Sequence, residues 1–328
     1  MNKMIALLPL LAFLTACTVQ EKETPGKPNF VWILSEDNSK HYMELFDEDG
    51  IATPNIEKLA ENGILFTSAF SNSPVCSVAR STLISSCYGP RIGTQYHRRT
   101  QLVPMPKGIE MFPVYLREIG YYTTNNSKKD YNIIENDGVW DESSKNAHWS
   151  NRAESQPFFH KMSRSASHES NLHFMKSKME TYVTTVDPDE VFLNPKHPDT
   201  ETFRFTAAYY RDKILEVDTI VGDVVEQLKE DGLLENTFIF YFGDHGGVLP
   251  GSKGFAYETG LHVPLVVRIP ENFRHLVDFK QGSITDGFVS FIDFGPTLLK
   301  LAGVEIPEGI DGRPFLGEDD VVPNLVEI

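Results

Sequence analysis

The chain has 328 residues, 41% of them hydrophobic, with ordinary Gly and Pro content, which is enough for one large globular domain. Its formal net charge of −16 argues against a nucleic-acid partner, whose phosphates need a basic surface. An anionic small substrate stays open, because a metal ion and a few local cations can reverse the potential inside one cleft.

The first predicted segment is a targeting signal. Lys3 precedes an apolar run over residues 4–13 that is too short to span a bilayer. The run ends in Leu14-Thr15-Ala16-Cys17, which resembles a bacterial lipobox with cleavage before Cys17 and lipid on its thiol. Residues 1–16 are therefore expected to be a signal peptide and 17–28 a lipidated polar tether. That reading places the protein on a lipid anchor, at the periplasmic or outer-membrane surface of a Gram-negative bacterium.

Residues 29–34 (NFVWIL) form an apolar run of strand length. Glu36 and Asp37 follow at once, and two carboxylates past a strand end are either metal ligands or a solvated turn. Residues 53–60 predict a helix with Thr53 as N-cap, Pro54 in the first position and Gly63 at its end. The stretch 71–91, SNSPVCSVARSTLISSCYGPR, sets Cys76 at the mouth of a second helix with Arg80 on the same face. A helix N-terminus favours an anion, so the pair reads as a reactive group and a cation, or Cys76 as a small buried hydrophobe. Cys76 and Cys87 lie about three turns apart on one helix, too far for a disulfide, and Cys87 reads as core.

The loop 93–99 (GTQYHRR), with His97 and Arg98, is either solvated or a contact for an anionic sugar. A short helix over 112–119 and a strand over 121–125 lead to Lys128, Lys129 and Asp130, a solvent-facing loop or part of a site. Residues 158–163 predict a strand with His168 beyond it, and 176–200 read as irregular surface loop. The clearest helix covers 207–231, where Ile214, Val217, Val221, Val224 and Leu228 make one core-facing stripe and Gly232 a stop. A buried strand over 237–242 ends in Gly243-Asp244-His245, either a turn or a site. Lys253, a strand over 264–269, and a helix started by Pro296 and ended by Gly303 complete the chain.

The run CSVARSTLISSCYGPR resembles the signature of type I sulfatases, C-x-P/A-x-R, with Val78 at the Pro/Ala position. Residues 53–76, 253–264 (KGFAYETGLHVP) and 288–314 are similar to the same family, and the resemblance spans about 29–317. It implies an alkaline-phosphatase-like α/β/α sandwich with a large, mainly parallel sheet. Residues 29–317 would be the catalytic domain and 318–328 the start of a small C-terminal domain otherwise absent or truncated. The resemblance also implies formylglycine made from Cys76 by a maturase, and one Ca²⁺ held by Glu36, Asp37, Asp244 and His245, a mostly oxygen set that suits a hard cation. Arg80, Lys128 and Lys253 would contact sulfate, and His168 or Lys253 would pass a proton to the leaving oxygen. Asp130 stands where many members have His and, with His97 and Arg98, is a candidate substrate contact. The implied activity is hydrolysis of a sulfate ester or sulfamate of a sulfated carbohydrate. A phosphodiesterase or phosphonate monoester hydrolase of the same superfamily is the alternative, or a non-catalytic binder of sulfated glycan if Cys76 stays a thiol.

Overall fold

The computed structural model describes residues 26–317. The expected signal peptide, Cys17 with most of the tether, and residues 318–328 lie outside the described residues. Among the described residues no helix is long and apolar enough to cross a membrane.

The chain runs β1 (Asn29–Ser35), α1 (Pro54–Glu61), β2 (Gly63–Phe70), α2 (Cys76–Ser85), α3 (Gly89–Ile92), α4 (Pro113–Glu118), β3 (Tyr122–Asn126), β4 (Glu142–Ser143) and β5 (Phe158–Arg164). It continues α5 (Ser177–Thr181), α6 (Glu201–Glu230), β6 (Thr237–Gly243), α7 (Glu258–Leu261), β7 (His262–Arg268), β8 (Ser283–Thr285), β9 (Val289–Ser290) and α8 (Phe294–Leu301). Among the described residues the strands make one nine-stranded sheet in the order β4-β3-β5-β1-β6-β7-β2-β8, with β9 also on β2. β7 runs antiparallel to both its neighbours, and the other pairs are parallel.

β1 lies at the centre with every residue buried. Its alternation feeds two cores, because successive strand side chains point to opposite faces. Phe30, Trp32 and Leu34 pack with α2, α4 and α8, while Val31 and Ile33 pack with α1 and α6. The result is the expected α/β/α sandwich with a large, mainly parallel sheet.

Four local expectations change. Thr53 precedes α1, but its hydroxyl makes no cap bond. The free N–H groups of Asn55 and Ile56 instead donate to Asp218 of α6, at 3.3 and 2.9 Å, so a helix across the layer supplies the cap. Gly63 does not end α1; it opens β2, where a Cβ would stand 2.0 Å from the carbonyl oxygen of Val267. α6 begins earlier than its apolar stripe, because Thr200 caps it through the N–H of Phe203, and α8 is launched ahead of Pro296 by a Ser290/Asp293 capping box.

Candidate active site

Five loops bring side chains to one edge of the sheet, beyond the carboxyl ends of its parallel strands. β1 runs into Glu36 and Asp37, and β6 into Asp244 and His245. These pairs are neighbours because β1 and β6 stay in register to Ser35 and Gly243. β3 leads to Lys128, β5 to His168, and β2 to Cys76. Since β7 runs the opposite way, the loop that enters it carries Lys253 to the same edge.

Cys76 is the first residue of α2, preceded by Val75 in extended conformation, and is 1% exposed. It is in no disulfide, nor is Cys87, which is buried in the core as expected. Its Sγ lies 3.2 Å from Nε2 of His245 and 4.0 Å from Oδ1 of Asp37. Burial and the charge of Asp244 push the thiol up, but hydrogen bonds with His168 and His245 outweigh them and leave it below its ordinary value. Burial disfavours charge on His245 too, yet Asp244 and Asp37 prevail and raise its pKa to about 10. Its Nδ1–H donates to the carbonyl of Gly246 at 2.9 Å, which aims Nε2–H at Asp37 and Cys76.

Arg80, one helical turn on, is fully buried. Its Nε and Nη2 donate to Oδ2 of Asp244 at 3.1 and 2.9 Å, and Nη1 donates to Ser163 Oγ at 2.8 Å. Lys253 Nζ contacts both oxygens of Asp37, at 3.0 and 2.8 Å, and Glu169 at 3.2 Å. Burial raises the Asp37 pKa, but His245 and Lys253 outweigh it and hold the carboxyl well below its usual range. Lys128 Nζ meets Glu36 Oε2 at 2.9 Å, and His168 Nε2 stands 3.8 Å from the same oxygen.

The loop 93–99 is not simply solvated. His97 Nδ1 lies 3.0 Å from Ser77 Oγ, and the Arg98 N–H donates to that hydroxyl at 2.8 Å, so the loop packs on the first turn of α2 beside Cys76. Asp130 pairs with the Arg98 guanidinium through two bonds of 3.2 Å, and stands 4.0 Å from Lys128. Lys129 turns away to Glu135.

Two donor groups fit a metal ion. Asp37, Cys76 and His168 offer ligand atoms within 4.8 Å of one another, and so do Cys76, Asp244 and His245. Glu36 is in neither group; its oxygens face Arg80 and Lys128. Carboxylate oxygens and imidazole nitrogen together suit a hard or borderline divalent cation. Several supporting residues carried no sequence signal. Ser163 holds Arg80, the hydroxyl of Tyr210 on α6 donates to the Asp37 carbonyl, and the Glu169 N–H donates to Asp37 Oδ2 at 2.8 Å.

An α/β/α sandwich with acids, cations and a helix-borne cysteine at its carboxyl edge defines the alkaline-phosphatase-like class. Within that class the sulfatase family model matches residues 28–304, and the chain belongs to the sulfatase family. An ulvan-active sulfatase of Formosa agariphila is 32% identical, over 91% of this chain and 56% of its own length. The chain thus spans just over half of that relative, and 60% and 66% of two further ulvan-active sulfatases of the same organism. A structure in complex with its substrate D-glucosamine-2-N,6-O-disulfate shares the fold at a TM-score of 0.63 and 18% identity, covering 90% of this chain and 81% of that one. The phosphonate monoester hydrolase of Agrobacterium radiobacter shares it at 0.65 and 18%, covering 88% and 76%.

Proposed function

We propose that the protein hydrolyses sulfate esters or sulfamates of a sulfated carbohydrate, using Cys76 converted to formylglycine by a maturase. The observation that carries this reading is the placement of Cys76 at the opening of α2, at an edge where three carboxylates and five cationic or imidazole groups converge. The names of the ulvan-active relatives, and the disulfated glucosamine bound by the structural neighbour, support a sulfated sugar.

Asp37, Asp244 and His245, with Glu36 beside them, would hold one divalent ion such as Ca²⁺. When bound, such an ion lowers the pKa of a nearby hydroxyl and offsets charge on the ester oxygens. Formylglycine supplies a carbon that carries two hydroxyls, one to attack sulfur and one to release sulfate afterwards, a second step that a plain thiol lacks. Arg80 is locked by Asp244 and Ser163, so its charge is already oriented. Lys128 and Lys253 hold the sulfate oxygens. His168 or Lys253 would pass a proton to the leaving oxygen. His168 stands 3.8 Å from Glu36, and Lys253 is held by Asp37 at 2.8 Å. The lipobox-like Leu14-Thr15-Ala16-Cys17 supports export and a lipid anchor at Cys17.

Mass spectrometry of the tryptic peptide ending at Arg80, from protein made in its native host, tests the nucleophile. An aldehyde at position 76, with faster turnover of aryl sulfate than of aryl phosphate or phosphonate, is the expected result. An intact thiol with glycan binding and no turnover would assign a binding role, and faster phosphonate turnover the superfamily alternative.

A further inference from the structure

A cavity of about 550 Å³ opens beside Lys128 and His168. Arg98, Lys128, Lys145, Arg164 and His168 line it, and Glu36 is the single acid in its wall. In a chain of net charge −16 this is a local inversion of sign. Glu36 is already engaged by Arg80 and Lys128, and Arg98 by Asp130.

Arg164 and Lys145 are different. Among the described residues neither has a carboxylate within 4.0 Å; every ion pair at this edge belongs to other cations. Arg164 closes β5 half-buried, and its guanidinium has one hydrogen bond, Nη1 to Asn126 Oδ1 at 3.4 Å. Asn126 in turn donates to the backbone carbonyl of Lys145 at 2.9 Å, so one side chain sets the Arg164 guanidinium and the Lys145 backbone against the same cavity wall. A guanidinium taken partly out of water without a counter-charge is unfavourable, and its desolvation shows as a lowered pKa with no acid opposing it. An incoming anion removes that penalty, and a planar fork suits a carboxylate or sulfate.

We propose that this cavity is a second anion subsite, in which Arg164 and Lys145 hold a carboxylate or a further sulfate borne by the same sugar chain as the group presented to Cys76. The inference rests on the sulfatase reading for its substrate and adds that this substrate is at least doubly anionic.

The test uses the full chain carrying Cys76→Ala, so that binding is read without turnover. Calorimetry compares three probes: a disaccharide with one sulfate ester and one uronate, its carboxyl-reduced form, and a neutral-sugar disaccharide with two sulfates. One or both doubly anionic probes should bind about tenfold tighter than the carboxyl-reduced one. A preference between them identifies the second group as carboxylate or sulfate. Arg164→Gln should erase the gain and leave the carboxyl-reduced probe unchanged; Lys145→Gln, at an exposed position, should reduce it. Equal affinity for all three probes, or a gain that survives both substitutions, overturns the proposal. Failure of the mature protein to hydrolyse any sulfate ester, with the preference intact, overturns only the sulfatase reading. Hydrolysis without the preference overturns only the subsite.

Discussion

Arg80 is a buried charge whose every direction is answered. Asp244, Glu36 and Ser163 take its donors, and the side chain is fully buried. Arg80→Met removes the guanidinium that Asp244 and Glu36 share, leaving Asp244 only His245, at 3.8 Å, as an ion-pair partner among the described residues, and should destabilise the fold by about 3 kcal/mol in urea unfolding. Arg80→Lys keeps the charge but loses the fork that spans Asp244 and Ser163, so activity should fall much more than stability. A methionine variant as stable as the parent would show that the acids do not depend on it.

His160 gives a prediction in pH. It is buried, bonded through Nδ1 to Thr124 Oγ1 at 2.7 Å, and burial with neighbouring cations depresses its pKa to about 3. The unfolded chain therefore binds this proton more readily than the folded one. Stability is unaffected by this group above its unfolded pKa of 6.5 and falls as pH drops from there toward 3, by about 1.4 kcal/mol per unit. His160→Asn should flatten the urea-midpoint profile between those limits, and an unchanged slope would assign the acid sensitivity elsewhere.

Residues with a motif around them were legible. Asp37, Asp244 and His245 follow strand ends, Cys76 opens a helix with Arg80 one turn on, and Lys253 lies in a motif-bearing loop; the structure brings all six together. Residues that act by holding these were not. Ser163 sits on a strand with no pattern beyond burial, and Tyr210 lies in a helix read for its apolar stripe. Their role depends on which strand lies beside which, and strand order is a tertiary fact.

At the scale of elements, the periodic segments were legible and their ends less so. The apolar run of β1 and the stripe of α6 were readable because burial selects them directly. The start of α1 at Pro54 was legible as well, but its capping acceptor was not, because that is Asp218, far along the chain. Gly63 was read as a helix stop because glycine often serves there, whereas its use is a close backbone approach between β2 and β7. Gly63→Ala puts a methyl 2.0 Å from a carbonyl oxygen that belongs to backbone and cannot swing aside. The two strands must part, and a loss of about 2 kcal/mol or more is expected in chemical unfolding. A neutral substitution would mean that β2 and β7 shift freely against each other.

For the whole molecule, the metal reading has a stability consequence. An ion that binds only the folded site adds about 2.7 kcal/mol at a hundredfold excess over its dissociation constant. Chelation should therefore lower the melting temperature by a few degrees, and added Ca²⁺ should restore it. Asp37→Asn should make melting indifferent to both, and a parent protein unmoved by chelator would remove the ion from the site.

The strand order also dictates a timetable of synthesis. β1 is the central strand and the first to leave the ribosome, yet its partners β5 and β6 begin only at residues 158 and 237. β2, which delivers Cys76, pairs with β7, β8 and β9, all beyond residue 261. For most of translation the cysteine segment therefore belongs to an open chain, and it becomes sealed only when the last strands dock. The proposed maturase would meet an open cysteine segment throughout that interval, whereas in the folded chain Cys76 is 1% exposed.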